Sequence, residues 1–167
     1  DVLMVHASGN DAMNNDREDN FPNVKTLYTK DHPIPWIEVG AIDANGYVAD
    51  FSNYGKKSVD ILAPGVSIYS TLPGSNYDFE SGTSMASPAV AGVAALVRSV
   101  YPNLTALEVR SAIFKGVVKP SDKTAIPGKT KKTKYKNLCK TGGAANAIIA
   151  LMVARDMEAA NNGTPKK

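Results

Sequence analysis

Cysteine is almost absent. Cys139 is the only one in 167 residues, which excludes an internal disulfide framework and leaves the redox compartment open. No thiolate-activating motif surrounds it, so it reads as a structural thiol rather than a nucleophile. No run of about 18 apolar residues occurs, so no membrane span is expected. Charge of one sign is scarce: 19 Lys and Arg against 16 Asp and Glu leave a net +3. Without a basic stripe or a supporting motif, nucleic acid is not expected as a partner. Histidine occurs only twice, as His6 and His32. The Asn- and Asp-rich stretch 10–20 lacks the D-x-D-x-D-G spacing of a calcium loop, so no metal is assigned to it. There is no internal repeat.

What is present is ordinary for one globular domain with a buried core: 43% hydrophobic and 21% charged residues. The chain opens on Asp1-Val2-Leu3-Met4-Val5, already the texture of a buried strand. This gives the expectation that further sequence precedes it and carries any targeting signal. Residues 2–7 form an apolar run stopped by Ser8-Gly9-Asn10, which suits a parallel strand. Residues 11–23 read as a surface loop. Strands are expected at 36–43, 58–62 and 66–72, ended by Ala44-Asn45-Gly46, Ala63-Pro64-Gly65 and Pro73-Gly74.

The texture then changes. Residues 84–100 are apolar nearly all round and read as a buried helix, with Pro88 near its first turn, where proline is tolerated. Gly92 costs such a helix about 1 kcal/mol, which close packing against a neighbour would justify. Thr105-Ala106-Leu107-Glu108 fits a capping box for a second helix to about Lys115. Residues 119–141, rich in Pro, Gly and Lys, read as an exposed loop. A third helix is expected over about 144–160, then a disordered tail over 161–167. Strands followed by helices give an α/β or α+β domain.

The chemistry centres on Ser81-Gly82-Thr83-Ser84. Gly82 permits a tight path into the helix. Ser84 then lies where unpaired N–H groups and the positive dipole end point outward. Its hydroxyl could attack a carbonyl while its own N–H stabilises the resulting oxyanion. By itself, G-T-S reads as a helix cap with no chemistry, and Asn10 reads as a turn residue after a strand.

Four blocks decide between these readings. Gly82-Thr83-Ser84-Met85-Ala86-Ser87-Pro88 resembles the active-site serine signature of the subtilisin-like serine proteases, the subtilases. Val5-His6-Ala7-Ser8-Gly9-Asn10 resembles the strand carrying that family's oxyanion asparagine. Ile37 to Asp43 and Ala63 to Ile68 resemble two further blocks, in the family's order and near its spacing. The resemblance implies the C-terminal half of a three-layer α/β fold with a central, mostly parallel sheet, occupying 1–160. It implies peptide-bond hydrolysis with Ser84 as nucleophile and Asn10 as oxyanion donor. Ala7, Ser8 and Gly9 would form one wall of the substrate pocket, and Ser81, Gly82 and Thr83 would flank the substrate. It implies a polypeptide substrate, no cofactor and an exported protein, extracellular or periplasmic. Structural calcium, held by some members, is not placed on this chain.

A serine hydroxyl needs a general base. The family's aspartate and histidine precede the serine, and neither motif occurs here. His6 lies within an apolar strand, where a packed or hydrogen-bonded role is expected. His32 follows Asp31 in a loop, and adjacent side chains do not point head to tail. Neither is assigned as the base, so the chain alone is expected to be inactive, its N-terminal counterpart being the missing partner. The alternative is a non-catalytic module that keeps the fold. Ala89 stands where many members have histidine, with little bearing on chemistry. The lysine-rich stretch 129–140 reads as a solvated loop. The apolar edge at 2–7 is expected to favour self-association.

Overall fold

The computed structural model describes residues 1–24 and 34–163. Its centre is a three-stranded parallel sheet in the order β1 (Met4–Ala7), β2 (Trp36–Ile42) and β3 (Ile61–Pro64). The register pairs His6 with Glu38 and Val39 with Ile61. All seven residues of β2 are buried, which is why this strand reads as a continuous apolar run instead of an alternating one.

Side chains alternate across the sheet. On one face Ile37, Val39, Ala41, Ile61 and Ala63 pack against helices α1 (Thr83–Val100), α2 (Ala106–Lys115) and α3 (Ala147–Gly163). The helices contribute Ala86, Val90 and Val97 from α1, Val109 and Ile113 from α2, and Ala150 and Ala154 from α3. A second cluster joins Ile42 and Leu62 to Val48, Tyr54, Val59, Tyr135, Leu138 and Cys139. Small residues along α1 let its backbone lie close to the strands. A Cβ on Gly65, just after β3, would stand 2.7 Å from the Gly82 carbonyl oxygen and 3.1 Å from Ala86 Cβ. Glycine at 65 therefore permits the close approach that seats the start of α1.

Several expectations are corrected. The strand expected over 66–72 does not join the parallel sheet. Its core, β4 (Ile68–Leu72), pairs antiparallel with β5 (Asn76–Glu80) in a hairpin. The turn is made by Gly74 and Ser75 at φ 80° and 59°. The segment 119–141 is not simply an exposed loop. It holds β6 (Thr124–Ala125), β7 (Lys132–Thr133) and a 3₁₀ turn at Tyr135–Asn137. Tyr135, Leu138 and Cys139 anchor it in the second cluster. Helix α3 runs to Gly163, so it takes in part of the expected tail.

The capping box of α2 is formed: the Thr105 hydroxyl accepts from Glu108 N, and Thr105 N donates to Glu108 Oε2 at 2.8 Å. Gly92 is not packed against a neighbour, since a Cβ there would meet nothing within 4 Å. Helix α1 is 18 residues long with mean hydropathy 1.2. Contrary to the sequence reading, it is therefore long and apolar enough to cross a membrane. Its stripe of Ala86, Val90, Ala94 and Val97 nonetheless lies in the core against the sheet.

Candidate active site

Strand β1 ends at Ala7, and the chain turns sharply to present Asn10. Gly9 makes that turn at φ 102°, a conformation that L side chains rarely adopt. A Cβ at this position would also strike Asn53 Nδ2, 2.5 Å away. Asn53, only 1% exposed, organises the loop beyond. Its side-chain oxygen accepts from Asp11 N and Met13 N, each at 2.9 Å, and its backbone N–H donates to the Gly9 carbonyl at 2.8 Å. The segment 11–23 is thus tethered and not a free surface loop.

The end of β1 meets the start of α1. Asn10 Oδ1 accepts from both Thr83 N and Thr83 Oγ1, each at 2.9 Å. Thr83 Oγ1 in turn accepts from Gly9 N at 3.2 Å. These bonds assign the two ends of the Asn10 amide: the oxygen is held, and Nδ2 is left to donate outward. A Cβ on Gly82 would stand 3.4 Å from Asn10 Nδ2 and 3.6 Å from Ser84 N. The two donors therefore converge over the same glycine.

The backbone of this turn leaves Ser84 N available. Thr83 N is bonded to Asn10, while Met85 N and Ala86 N both point to the Gly82 carbonyl at 3.0 and 3.4 Å. The helix cap is Gly82, with no side-chain capping bond, and the first turn carries no acidic residue. Ser84 is therefore not the cap that its sequence context allowed. It is exposed at the second helical position, at the positive end of the dipole, which favours negative charge. Pro88 lies deeper than expected, in the second turn. Lacking an N–H, it leaves the Ser84 carbonyl without its usual helical donor.

The other sequence-selected residues divide clearly. Ser81 accepts from Ser67 N through its hydroxyl at 2.8 Å and is exposed beside Ser84. Ser8 is fully buried, with its hydroxyl on the Asn53 carbonyl at 3.2 Å, so only its backbone can form a wall with Ala7 and Gly9. Thr83 is buried at 1% exposure, with its N–H and hydroxyl engaged on the Gly9–Asn10 turn. His6 stays away from the site, with Nδ1 at 3.1 Å from both Glu38 carboxylate oxygens and its ring tilted against Trp36. His32 lies outside the described residues. Burial raises the pKa of the Cys139 thiol, which suits an inert structural role. Sequence reasoning missed Asn53, Asn15 and Asn20. The two latter amides both donate to the Ser8 carbonyl, at 2.9 and 2.7 Å.

The chain has counterparts among known proteins. The family model described as the subtilase family covers residues 1–138. The chain belongs to the subtilase family. It is 45% identical over 102 residues to subtilisin-like protease 2 of Plasmodium falciparum, covering 60% of this chain and 7% of that protein. It is 52% identical over 77 residues to subtilisin DY of Bacillus licheniformis, covering 46% of this chain and 28% of the relative. Among solved structures, the prenylagaramide maturation protease PagA superimposes with a TM-score of 0.69 at 28% identity, covering 92% of this chain and 50% of that one. The self-cleaved protease domain of PatA does so at 0.64 and 29%, covering 93% and 51%. This subtilase chain therefore spans about half the length of the solved proteases it matches. Its parallel sheet and helices are the α/β fold that they share.

Proposed function

We propose that residues 1–160 are the C-terminal part of a subtilase catalytic domain, in which Ser84 is the nucleophile of a serine endopeptidase. In this reading the Ser84 hydroxyl attacks a peptide carbonyl. The developing oxyanion is received by Asn10 Nδ2 and Ser84 N, the acyl-enzyme forms, and water then releases it. The observation that carries the reading is the pair of hydrogen bonds that Thr83 N and Thr83 Oγ1 donate to Asn10 Oδ1. It turns the amide N–H₂ toward the same space as the free Ser84 N–H. Donors fixed before the reaction stabilise charge with little reorganisation, the largest single contribution in many such sites. The substrate is a polypeptide, and the protein is exported.

The proton acceptor is a histidine, with its aspartate, from sequence outside this chain. His6 is committed to Glu38. The chain alone is accordingly expected to leave a fluorophosphonate probe unreacted, whereas the full-length protein is expected to be labelled at Ser84. Rapid stoichiometric labelling of the isolated chain would contradict this division. In the full-length protein, Asn10→Ala should lower kcat by about 10²–10³ with a smaller change in KM. That magnitude is the known value for an oxyanion asparagine of subtilisin, a relative. An unchanged kcat would remove Asn10 from the site.

The outer edge of β1 pairs with no strand among the described residues. Free N–H and C=O groups there template further pairing, so the isolated chain is expected to self-associate. Sedimentation velocity over a tenfold concentration range should show this, and a single monomeric species throughout would count against it.

A further inference from the structure

The positive charge of the molecule is concentrated in one segment. Residues 119–140 hold eight of the 19 Lys and Arg residues against a single acid, Asp122. The rest of the chain carries 11 basic and 15 acidic residues, so the net +3 arises wholly from this segment. All eight lysines are exposed. Among the described residues only Lys140 of the eight has an ion-pair partner, Asp60 at 3.6 Å. The acids of the adjoining turn are committed to backbone donors. Asp43 Oδ1 accepts from Asn45 N and Tyr47 N, each at 2.9 Å, and Asp50 Oδ1 accepts from Gly128 N at 2.8 Å.

A run of like charges is ordinarily a solvated, mobile segment, but this one is built on a fixed frame. β6 and β7 pair antiparallel. The buried Thr124 hydroxyl accepts from Val48 N at 3.0 Å, and the buried Tyr135 hydroxyl donates to the Gly46 carbonyl at 2.8 Å. Half-buried Thr133 and buried Tyr135 alternate with exposed Lys132, Lys134 and Lys136, which puts these three lysines on the outer side. A frame ordered in advance lowers the entropy lost when a partner binds. The tip of the hairpin rests on the loop that follows Asn10. A Cβ on Gly128 would stand 3.1 Å from Ala12 Cβ. Ala12 lies between Asp11 N and Met13 N, the two donors that Asn53 holds. Lys129 and Lys131 follow that contact directly, so the basic surface begins beside the loop that carries the proposed oxyanion donor.

The chemistry of the surface narrows its partner. The segment contains no arginine and its one aromatic ring, Tyr135, is buried, so it offers nucleic acid neither bidentate phosphate contacts nor a stacking platform. Ile126 is half-buried and Pro127 buried, so the hairpin presents no exposed apolar anchor for a membrane. What remains is a set of hydrated point charges suited to carboxylates. We propose that the lysine-rich hairpin is an exosite that captures an acidic stretch of the polypeptide substrate and holds the chain near Ser84. The assignment rests on the reading of Ser84 and Asn10 given above. One exposed ion pair contributes little, but several charges of one sign on a rigid frame raise the local concentration of an oppositely charged chain.

The test uses the full-length protein and peptides that share one cleavable sequence. Each carries a tract of glutamate or of glutamine, joined through a Gly-Ser linker on the amino or the carboxyl side. In at least one placement the glutamate peptide should exceed its glutamine counterpart in kcat/KM by about tenfold at low salt. The ratio should fall toward one between about 0.01 and 1 M salt, as the reach of a charge shrinks from about 30 to about 3 Å. Lys132→Glu, Lys134→Glu and Lys136→Glu combined should abolish the preference, with glutamine-peptide turnover and fluorophosphonate labelling of Ser84 near wild type. Free oligoglutamate should inhibit cleavage of the glutamate peptide alone on the wild-type protein, which keeps the proposal testable if the triple variant does not fold. Equal kcat/KM in both placements at low salt, or a preference that survives in a labelled triple variant, overturns the exosite alone. So does lysine-dependent binding of a DNA oligonucleotide or of phosphatidylserine vesicles without discrimination between the peptides. Absence of Ser84 labelling in the full-length protein overturns the peptidase reading and the exosite with it.

Discussion

In the proposed role of Asn10 as oxyanion donor, what matters is that its side chain has been made asymmetric. A free amide can present oxygen or nitrogen with equal ease, and only the nitrogen end can stabilise an oxyanion. Thr83 removes the ambiguity by donating twice to the oxygen, and Asn53 holds the turn that carries it. Asn53→Ala would strip Asp11 N and Met13 N of their acceptor. The expected loss is about 1–3 kcal/mol, read as a lower urea midpoint at unchanged slope; a midpoint within error of wild type would deny Asn53 this role. Asn53 also shows what the sequence concealed. Ser84 and Asn10 stand out because glycines and a change of texture mark their positions. Asn53 gives no such mark, since its partners lie 40 and 42 residues away, and a buried asparagine has the same letter as a solvated one.

At the scale of elements, most boundaries were legible wherever a local rule governs them. The capping box of α2 is a four-residue signal, and it appears in the structure as read. The β4–β5 hairpin was only half legible. β4 alternates, but every residue of β5 is exposed, so no buried face imposes a pattern on it. Its pairing is supported instead by Tyr69, with ring centroids 5.0 Å from Phe79 and 5.9 Å from Tyr77. Gly92 illustrates the opposite case, where a plausible packing reason finds no neighbour. In this chain Gly92→Ala should therefore stabilise α1 by about 1 kcal/mol, seen as a raised urea midpoint. A fall in stability would mean that the open space is filled in solution.

For the whole molecule, two buried acids, Glu38 in β2 and Asp60 just before β3, carry charge into the interior. Glu38 N donates to Asp60 Oδ2 at 3.0 Å, and Asp60 lies 3.8 Å from Arg110 and 3.6 Å from Lys140. In both acids burial outweighs the favourable partners and raises the pKa above its ordinary value, 4.5 for Glu38 and 3.8 for Asp60. An acid whose pKa is raised on folding binds its proton more tightly when folded. The stability this contributes is full below the unfolded value and is lost as pH climbs through the folded one. Unfolding free energy should thus decline as pH rises from the ordinary carboxylate range upward. Glu38→Gln should flatten part of that decline when denaturant midpoints are compared across pH. A slope equal to wild type would place the effect elsewhere. Glu108 acts in the opposite sense: the Thr105 N–H, chiefly, lowers its pKa, so its contribution disappears on acidification.

The bonds between Thr83 and Asn10 join positions 73 residues apart. Contacts of such sequence separation form only after the chain between them has been closed into a loop. A nascent or partly folded chain therefore possesses Ser84 before the Asn10 amide is anchored beside it. On the reading proposed above, hydrolytic competence arrives with a tertiary contact rather than with the synthesis of any residue, so the protein's own precursors would be spared for as long as helix and strand remain apart.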